Sequence, residues 1–340
     1  MGNWSKTAVV ILCWNGRKYL ESFLPSLLQF QTDDTDIVVA DNASTDDSVA
    51  FLQMNFPGVK IISLKKNYGF AEGYNQAIRK IDSEYIVLMN QDVAVSHNWL
   101  APLTALLESD QDIGAVHPRI HAQLQPQQFE YAGAAGGWID KYGYTFCRGR
   151  VFDVTEEDHE QFARDAEVFW ASGACMLVRK KVYESLGGLD GTFFAHMEEI
   201  DFCWRLKNAG YKVMYCAGAT VFHLGGGSLP KNNPFKTYLN FRNNLLMIAK
   251  NLQHKRWRTL LTRILLDQLA ACRFLVTLQT GDFMAIQKAH WYFITHLHEI
   301  NRQRPSSQTP FLSMTGVYNG SIVWDYFVKK KKTFRDIVQT

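Results

Sequence analysis

The chain has no close cysteine pair, and that lack removes two classes of chemistry. Its six cysteines (Cys13, Cys147, Cys175, Cys203, Cys216 and Cys272) are scattered, so the spacing of neither a zinc site nor a redox couple is present. Several fall inside apolar runs, which suits buried thiols in a reducing cytosol. Charge of one sign is scarce too. A formal net charge of +3 over 340 residues supplies no whole-protein field for nucleic acid. No apolar run spans a bilayer, because residues 257–278 are interrupted by Arg263, Asp267 and Arg273. A glycine-rich triphosphate loop is missing, since Gly16-Arg17-Lys18 lacks the glycine spacing. A leader is not expected either. Met1–Lys6 runs straight into an apolar strand, and Lys6 stands where N-myristoylation needs Ser or Thr.

What is present is an alternation. The 47% hydrophobic content suffices for one large domain, or a domain with a substantial appendage. Short β-rich runs at Ala8–Cys13, Ile37–Ala40, Lys60–Leu64, Tyr85–Met89 and Ile113–Val116 read as strands. Segments of helical spacing lie between them at Arg17–Gln29, Asp46–Asn55, Gly69–Lys80 and Asn98–Leu107. This predicts an α/β fold with a doubly wound, mainly parallel sheet. Ser44 and Asp47 carry the spacing of a capping box. Residues 120–167 turn glycine-rich and aromatic, predicting hairpins or a loop over one sheet face. Strand Ala174–Val178, helix Lys180–Ser185, helix Glu198–Ala209 and strands Lys212–Tyr215 and Ala219–His223 follow. From Pro234 to about Arg302 the pattern is helical, with basic clusters at His254–Arg256, Arg258 and Lys329–Lys332. Basic flanks on an amphipathic helix suit an anionic membrane surface or a helical cap on the rest of the chain.

The polar residues fall at strand ends. Asn15-Gly16 follows the first strand, Asp41 the second, Asn67-Tyr68-Gly69 the third and Asn90-Gln91-Asp92 the fourth. In open parallel sheets ligands bind outside the carboxyl ends of the strands. Each residue alone is explained by turn formation. At successive strand ends they converge on one rim, where Asp92 can meet a hard cation and Gly69 lets backbone approach a ligand.

The ordered set resembles family 2 glycosyltransferases of the GT-A fold, particularly the bacterial rhamnosyltransferase-like branch. It is carried by Val9–Gly16, Val39–Asp46, Asn67–Asn75, Leu88–Val93, Ser172–Ala174, Phe193–Asp201 and the string His223-Leu224-Gly225-Gly226-Gly227-Ser228. The resemblance implies domains at 1–233 (nucleotide-sugar half 1–118, acceptor half 119–233) and a helical extension at 234–340. It implies a nucleoside diphosphate sugar donor, with Asn15, Asp41, Asn67, Gly69, Asn90 and Gln91 around the nucleotide. It also implies a divalent cation, magnesium or manganese, at Asp92 and His223. The family's D-x-D motif here opens with Asn90, which leaves one carboxylate for the ion, so diphosphate and water must complete the ligand set. Trp170, Ser172, Gly173 and Asp201 are expected on the acceptor side. The resemblance further implies a saccharide or lipid-linked saccharide acceptor, a cytoplasmic location with room for peripheral contact at the inner face of the cytoplasmic membrane, and no nucleic-acid partner.

Helix phase adds a physical argument. Glu198, Asp201 and Arg205 share a face and can pair, whereas Glu199 points about 100° away. An inverting transfer needs one carboxylate to take the acceptor's proton. The family's acidic pair, here Glu198 and Glu199, places that base second, at Glu199, where Asp is usual. Other classes compete. Gln253, Arg256 and Trp257 fit the Q-x-x-R-W string of processive synthases, but those carry membrane spans. A nucleotidyltransferase would need the absent triphosphate loop. A non-catalytic sugar-binding homologue would tolerate Asn90 and Glu199.

Overall fold

A computed structural model of the protein describes residues 4–225, 233–302 and 309–338; Gly226, Gly227 and Ser228 of the glycine string lie outside them. Strand β1 (Thr7–Cys13) is apolar and buried on both faces, as a central parallel strand must be. It is followed by α1 (Arg17–Gln29), β2 (Thr35–Asp41), α2 (Ser48–Asn55), β3 (Lys60–Ser63), α3 (Gly69–Ile78), β4 (Tyr85–Asn90), β5 (Val93–Val95), α4 (Leu100–Glu108) and β6 (Ile113–Ala122). Helix α1 turns Leu20, Phe23, Leu24 and Leu27 inward, the i, i+3, i+4, i+7 stripe of a helix lying on a sheet. Next come β7 (Gln125–Phe129), β8 (Gly137–Asp140), β9 (Thr145–Cys147), β10 (Arg150–Val151), β11 (Val154–Thr155), β12 (Ala166–Val168), β13 (Cys175–Arg179), α5 (Lys180–Ser185), α6 (Glu198–Asn208) and β14 (Lys212–His223).

The main sheet has the order β12-β14-β6-β13-β4-β1-β2-β3. Its β3-β2-β1-β4 half is parallel, as the alternation predicts. Strand β13 enters antiparallel between β4 and β6, and β14 runs parallel to β6. This mixed insertion brings the turn before β13, and the end of β14, to the rim that carries the ends of β1 to β4. Two apolar layers cover the sheet, one through α1 and α4, the other through α3 and α6.

Residues 120–167 form hairpins. Strands β8 to β11 build a second sheet, completed by β15 (Val317–Tyr318) beside β8. Helices α7 (Pro234–Asn251), α8 (Arg256–Val276), α9 (Thr280–Thr295) and α10 (Leu297–Arg302) match the helical expectation. The tail departs from it: after 309 the chain supplies β15 and then a short α11 (Phe334–Val338). Phe334 of α11 packs against Phe146 and Phe162, so the last segment is drawn back by aromatic burial. The turn after β2 also departs from its expectation. The Asp46 carboxylate accepts from Ser48 N and Oγ, while the Ser44 hydroxyl accepts from Asn15 N; the Ser44–Asp47 capping box does not form.

Candidate active site

The first four strand ends form a hydrogen-bonded cradle. Asn15 holds φ = 50°, and its Oδ1 accepts from Thr45 N at 2.7 Å. Asp41, buried, accepts from Ser44 N at 3.1 Å. Asn42 stitches the next loop: its Nδ2 donates to Asn67 Oδ1 and Gly69 O, and its Oδ1 accepts from Tyr68 N. Gly69 has φ = 76°, and a Cβ there would lie 2.5 Å from the Phe194 ring, so any side chain would be both strained and blocked. The carbonyl of Gln91 is sealed from solvent with no hydrogen-bond partner.

Asp92 and His223 meet through strand register. His223, the last residue of β14, pairs with Val93 of β5, which sets its Nε2 3.2 Å from Asp92 Oδ1 and 3.3 Å from Asn90 Nδ2. Its Nδ1 lies 3.5 Å from Glu130 Oε2. Burial alone would lower the His223 pKa, but the Asp92 and Glu130 carboxylates override it and push the imidazole up to about 10. Glu130 was invisible in the sequence, being one acid among many beyond β7. Its backbone N–H donates to Ile120 O, and its carboxylate takes the Ala132 N–H. Among the described residues no group of three or more His, Cys, Asp or Glu side chains forms a metal site. One carboxylate and one imidazole at a strand end fit a divalent ion that takes its other ligands from a diphosphate and water, with the ion displacing the proton that Asp92 and Glu130 otherwise hold on His223.

The turn before β13 joins this corner to α6. Asn90 N donates to Ala174 O at 3.0 Å, and a Cβ on Gly173 would sit 3.6 Å from Glu199 Cβ. Asn90, two residues before Asp92, and Glu199 therefore meet the same turn. Glu199 is partly buried, and its Oε2 has no hydrogen-bond partner; the same holds for Oε2 of buried Glu198. Desolvation, against backbone N–H groups of the helix start, pushes the Glu199 carboxyl up to about 7. Desolvation and the neighbouring Glu199 charge push Glu198 well above the usual carboxylate range. Unsatisfied buried polar atoms are rare in folded proteins. Here those of Gln91, Glu198 and Glu199 gather around one rim, as candidate functional groups do.

The approach to α6 is strained. Phe194, His196 and Met197 all hold left-handed backbone, with φ of 63°, 68° and 71°, a costly state for non-glycine residues. Helix α7 clamps it. Buried Asn243 donates from Nδ2 to Phe193 O, Ala195 O and His196 O, and Arg242 donates to Thr192 O and Phe193 O. Arg242 and Asn243 are thus the hold on the turn that presents Glu198 and Glu199.

Three of the four acceptor-side expectations meet buried, internally bonded side chains. Asp201 is fully buried and satisfied by Arg205 at 2.8 Å, Lys250 at 2.9 Å and Asn251 at 2.7 Å. Burial opposes its ionisation, but Lys250 and Arg205 hold the carboxyl below its usual range. The helix phase that pairs it with Arg205 turns it away from any acceptor, and Glu198 does not join that pair. Trp170 is also buried, donating from Nε1 to Trp138 O, and serves as a wall between the sheets. Ser172 is buried as well, its Oγ bonded to Ala132 O and Ala174 N; Gly173 alone of that turn borders Glu199.

Comparison with known proteins agrees with this geometry. The profile of Glycosyl transferase family 2 matches residues 8–187. N-acetylglucosaminyl-diphospho-decaprenol L-rhamnosyltransferase of Mycobacterium tuberculosis is 22% identical over 263 residues, covering 73% of this chain and 85% of its own. The mannosyltransferase PcManGT from Pyrobaculum calidifontis, solved with GDP-Man and Mn2+, superposes with a TM-score of 0.52 at 16% identity, over 88% of this chain and 86% of that one. GalNAc-T7, solved with UDP, GalNAc and Mn2+, gives 0.59 at 16% identity over 75% of this chain, which spans 49% of that protein. At these identities the two structures speak for the fold.

Proposed function

Because the chain belongs to glycosyl transferase family 2 and has the GT-A fold, we propose that it moves a single sugar from a nucleoside diphosphate sugar to a saccharide hydroxyl, with inversion. The observation that carries this reading is the shared rim: a base with a raised pKa, Glu199, and Asn90, which bonds His223 of the Asp92–His223 pair, meet the Ser172–Ala174 turn. Asp41, Asn15, Asn67 and Gly69 line the cradle in which the nucleotide would lie, with Asn90 and Gln91 at its inner edge. Asp92 and His223 would hold a divalent cation, and a mixed carboxylate and imidazole pair suits manganese at least as well as magnesium. That ion, when bound, neutralises charge on the departing diphosphate.

The protein's own groups do the rest. Glu199, ionised, accepts the acceptor hydroxyl's proton as that oxygen attacks the anomeric carbon. Glu198, kept protonated by burial, leaves Glu199 as the member of the acidic pair that carries charge at the helix start, where the dipole favours it, while the Asp201 charge is neutralised by Arg205 and Lys250. Asn243 and Arg242 keep the turn in the shape that aims Glu199. The name of the rhamnosyltransferase relative supports a lipid-diphosphate-linked saccharide as acceptor. No helix among the described residues is long and apolar enough to cross one, which favours single-sugar transfer over processive export. Residues 1–233 would form the transferase unit and 234–340 its extension.

The test is a panel of nucleoside diphosphate sugars, with and without manganese and chelator, offered with lipid-diphosphate-linked saccharides. One donor should yield stoichiometric nucleoside diphosphate and a product longer by one sugar. No release from any donor would refute enzymatic transfer, and a ladder of longer products would refute single addition.

A further inference from the structure

The hairpin of α8 and α9 carries an apolar face that no described residue covers. Trp257, Leu261, Leu265 and Leu269 recur at every fourth position of α8 and are between 54% and 67% exposed. At the helical rise they make a ridge about 18 Å long. Met284 and Trp291 add to it from α9, being 49% and 70% exposed. Hydrogen bonds from Gln268 to Gln287 and His290 set the seam between the two helices, and helix phase places both apolar rows beside that seam. Scattered exposed apolar residues are ordinary, but a contiguous ridge marks an interaction surface.

The outward charges on the two helices themselves have one sign, with the exposed Asp153 carboxylate of a neighbouring hairpin within reach of Arg273. Lys255, Arg258, Arg273 and Lys288 are exposed. The two helices contain only two acids, and both are withdrawn. Asp267 is buried against Arg263 at 2.7 Å and His290 at 3.4 Å, and Asp282 accepts from the Thr237 hydroxyl. The outward face is thus apolar along its crest and basic along its margins, the composition of a helix lying in the interface of an anionic bilayer. A second copy docking by two-fold symmetry would bring the basic margins against each other, which disfavours self-association.

We propose that the α8–α9 face seats the protein on an anionic lipid surface, with the ridge in the acyl boundary and the bases at headgroup phosphates. The proposal rests on this face alone and is scored without donor or acceptor, so its failure leaves the transfer reading untouched.

The experiment is co-sedimentation of the full-length protein with phosphatidylcholine vesicles, with and without phosphatidylglycerol. Two variants accompany it, Leu265→Glu/Leu269→Glu and Arg258→Glu/Arg273→Glu, both in exposed positions away from the active site. Wild type should bind the phosphatidylglycerol vesicles and release them in high salt. Each double variant should lose at least about tenfold in partitioning, as expected where each base near an anionic surface counts, while keeping the wild-type melting temperature and nucleotide affinity. Three results would overturn the proposal: no binding to anionic vesicles, equal binding by both variants, or a solution dimer that Leu265→Glu/Leu269→Glu dissociates.

Discussion

Replacing Glu199 by Gln tests the base and its environment together. The folded carboxyl titrates near 7 against an ordinary value of 4.5, a difference of about 3 kcal/mol between protonation states. Because the pKa is raised, the sign is unfavourable to the native state at high pH. Below about 4.5 the group is protonated in both folded and unfolded chains and contributes nothing. Between 4.5 and 7 the unfolded chain ionises first, so stability falls, and above 7 the deficit is constant. Gln cannot ionise. The variant should therefore match wild type near pH 4 and exceed it at pH 8, by about 1–3 kcal/mol once partial exposure of the side chain is allowed for. In a chain of this size that corresponds to roughly 1–4 °C in melting temperature. Turnover should fall by about 10²–10⁴-fold, the usual contribution of a positioned base, with donor affinity retained. In wild type the rate should climb with pH through about 7, and the variant should lack that limb. Calorimetry at the two pH values and nucleoside diphosphate release are the assays. Near-normal turnover would remove Glu199 from the role, and a lower melting temperature at pH 8 would refute the desolvation account.

Asp92→Ala should abolish the response of donor affinity to manganese and magnesium, read by titration calorimetry with and without chelator. Glu130→Gln, which alters the partner of His223 without touching Asp92, should weaken manganese binding by roughly 10–100-fold, as loss of supporting carboxylates does. Asn243→Ala frees three carbonyls of the strained turn; kcat should drop by about tenfold or more while the donor Kd moves little. Asp201→Ala leaves Arg205 and Lys250 short of a buried counter-charge and should cost about 3 kcal/mol in denaturant unfolding.

The parallel half of the sheet was legible because each of its strands ends in a local signal. Asp41 and Asn90 follow an apolar run directly, Asn15 comes one residue after one and Asn67 two lysines after one, and alternation sets their common edge. The antiparallel entry of β13 was not legible, since Cys175–Arg179 is as apolar as any parallel strand and its direction depends on where the chain has come from. Glu130 and Asn243 escaped for a related reason. Each acts on a residue distant in sequence, His223 in one case and the carbonyls of 193–196 in the other, and neither sits in a distinctive pattern. Asp201 shows the opposite error. Its i, i+4 pairing with Arg205 was plain, and that pairing should have removed it from the acceptor-side set.

The ladder between β4 and β13 runs from Cys175 opposite Met89 to Arg179 opposite Tyr85, and Asn90 N continues it to Ala174 O. It joins the edge that carries Asn90 to the segment beside Glu199 with backbone bonds, so no hinge lies along this seam. Among the described residues, the left-handed stretch at 194–197 is the strained segment beside Glu199, and the side chains of α7 are what hold it.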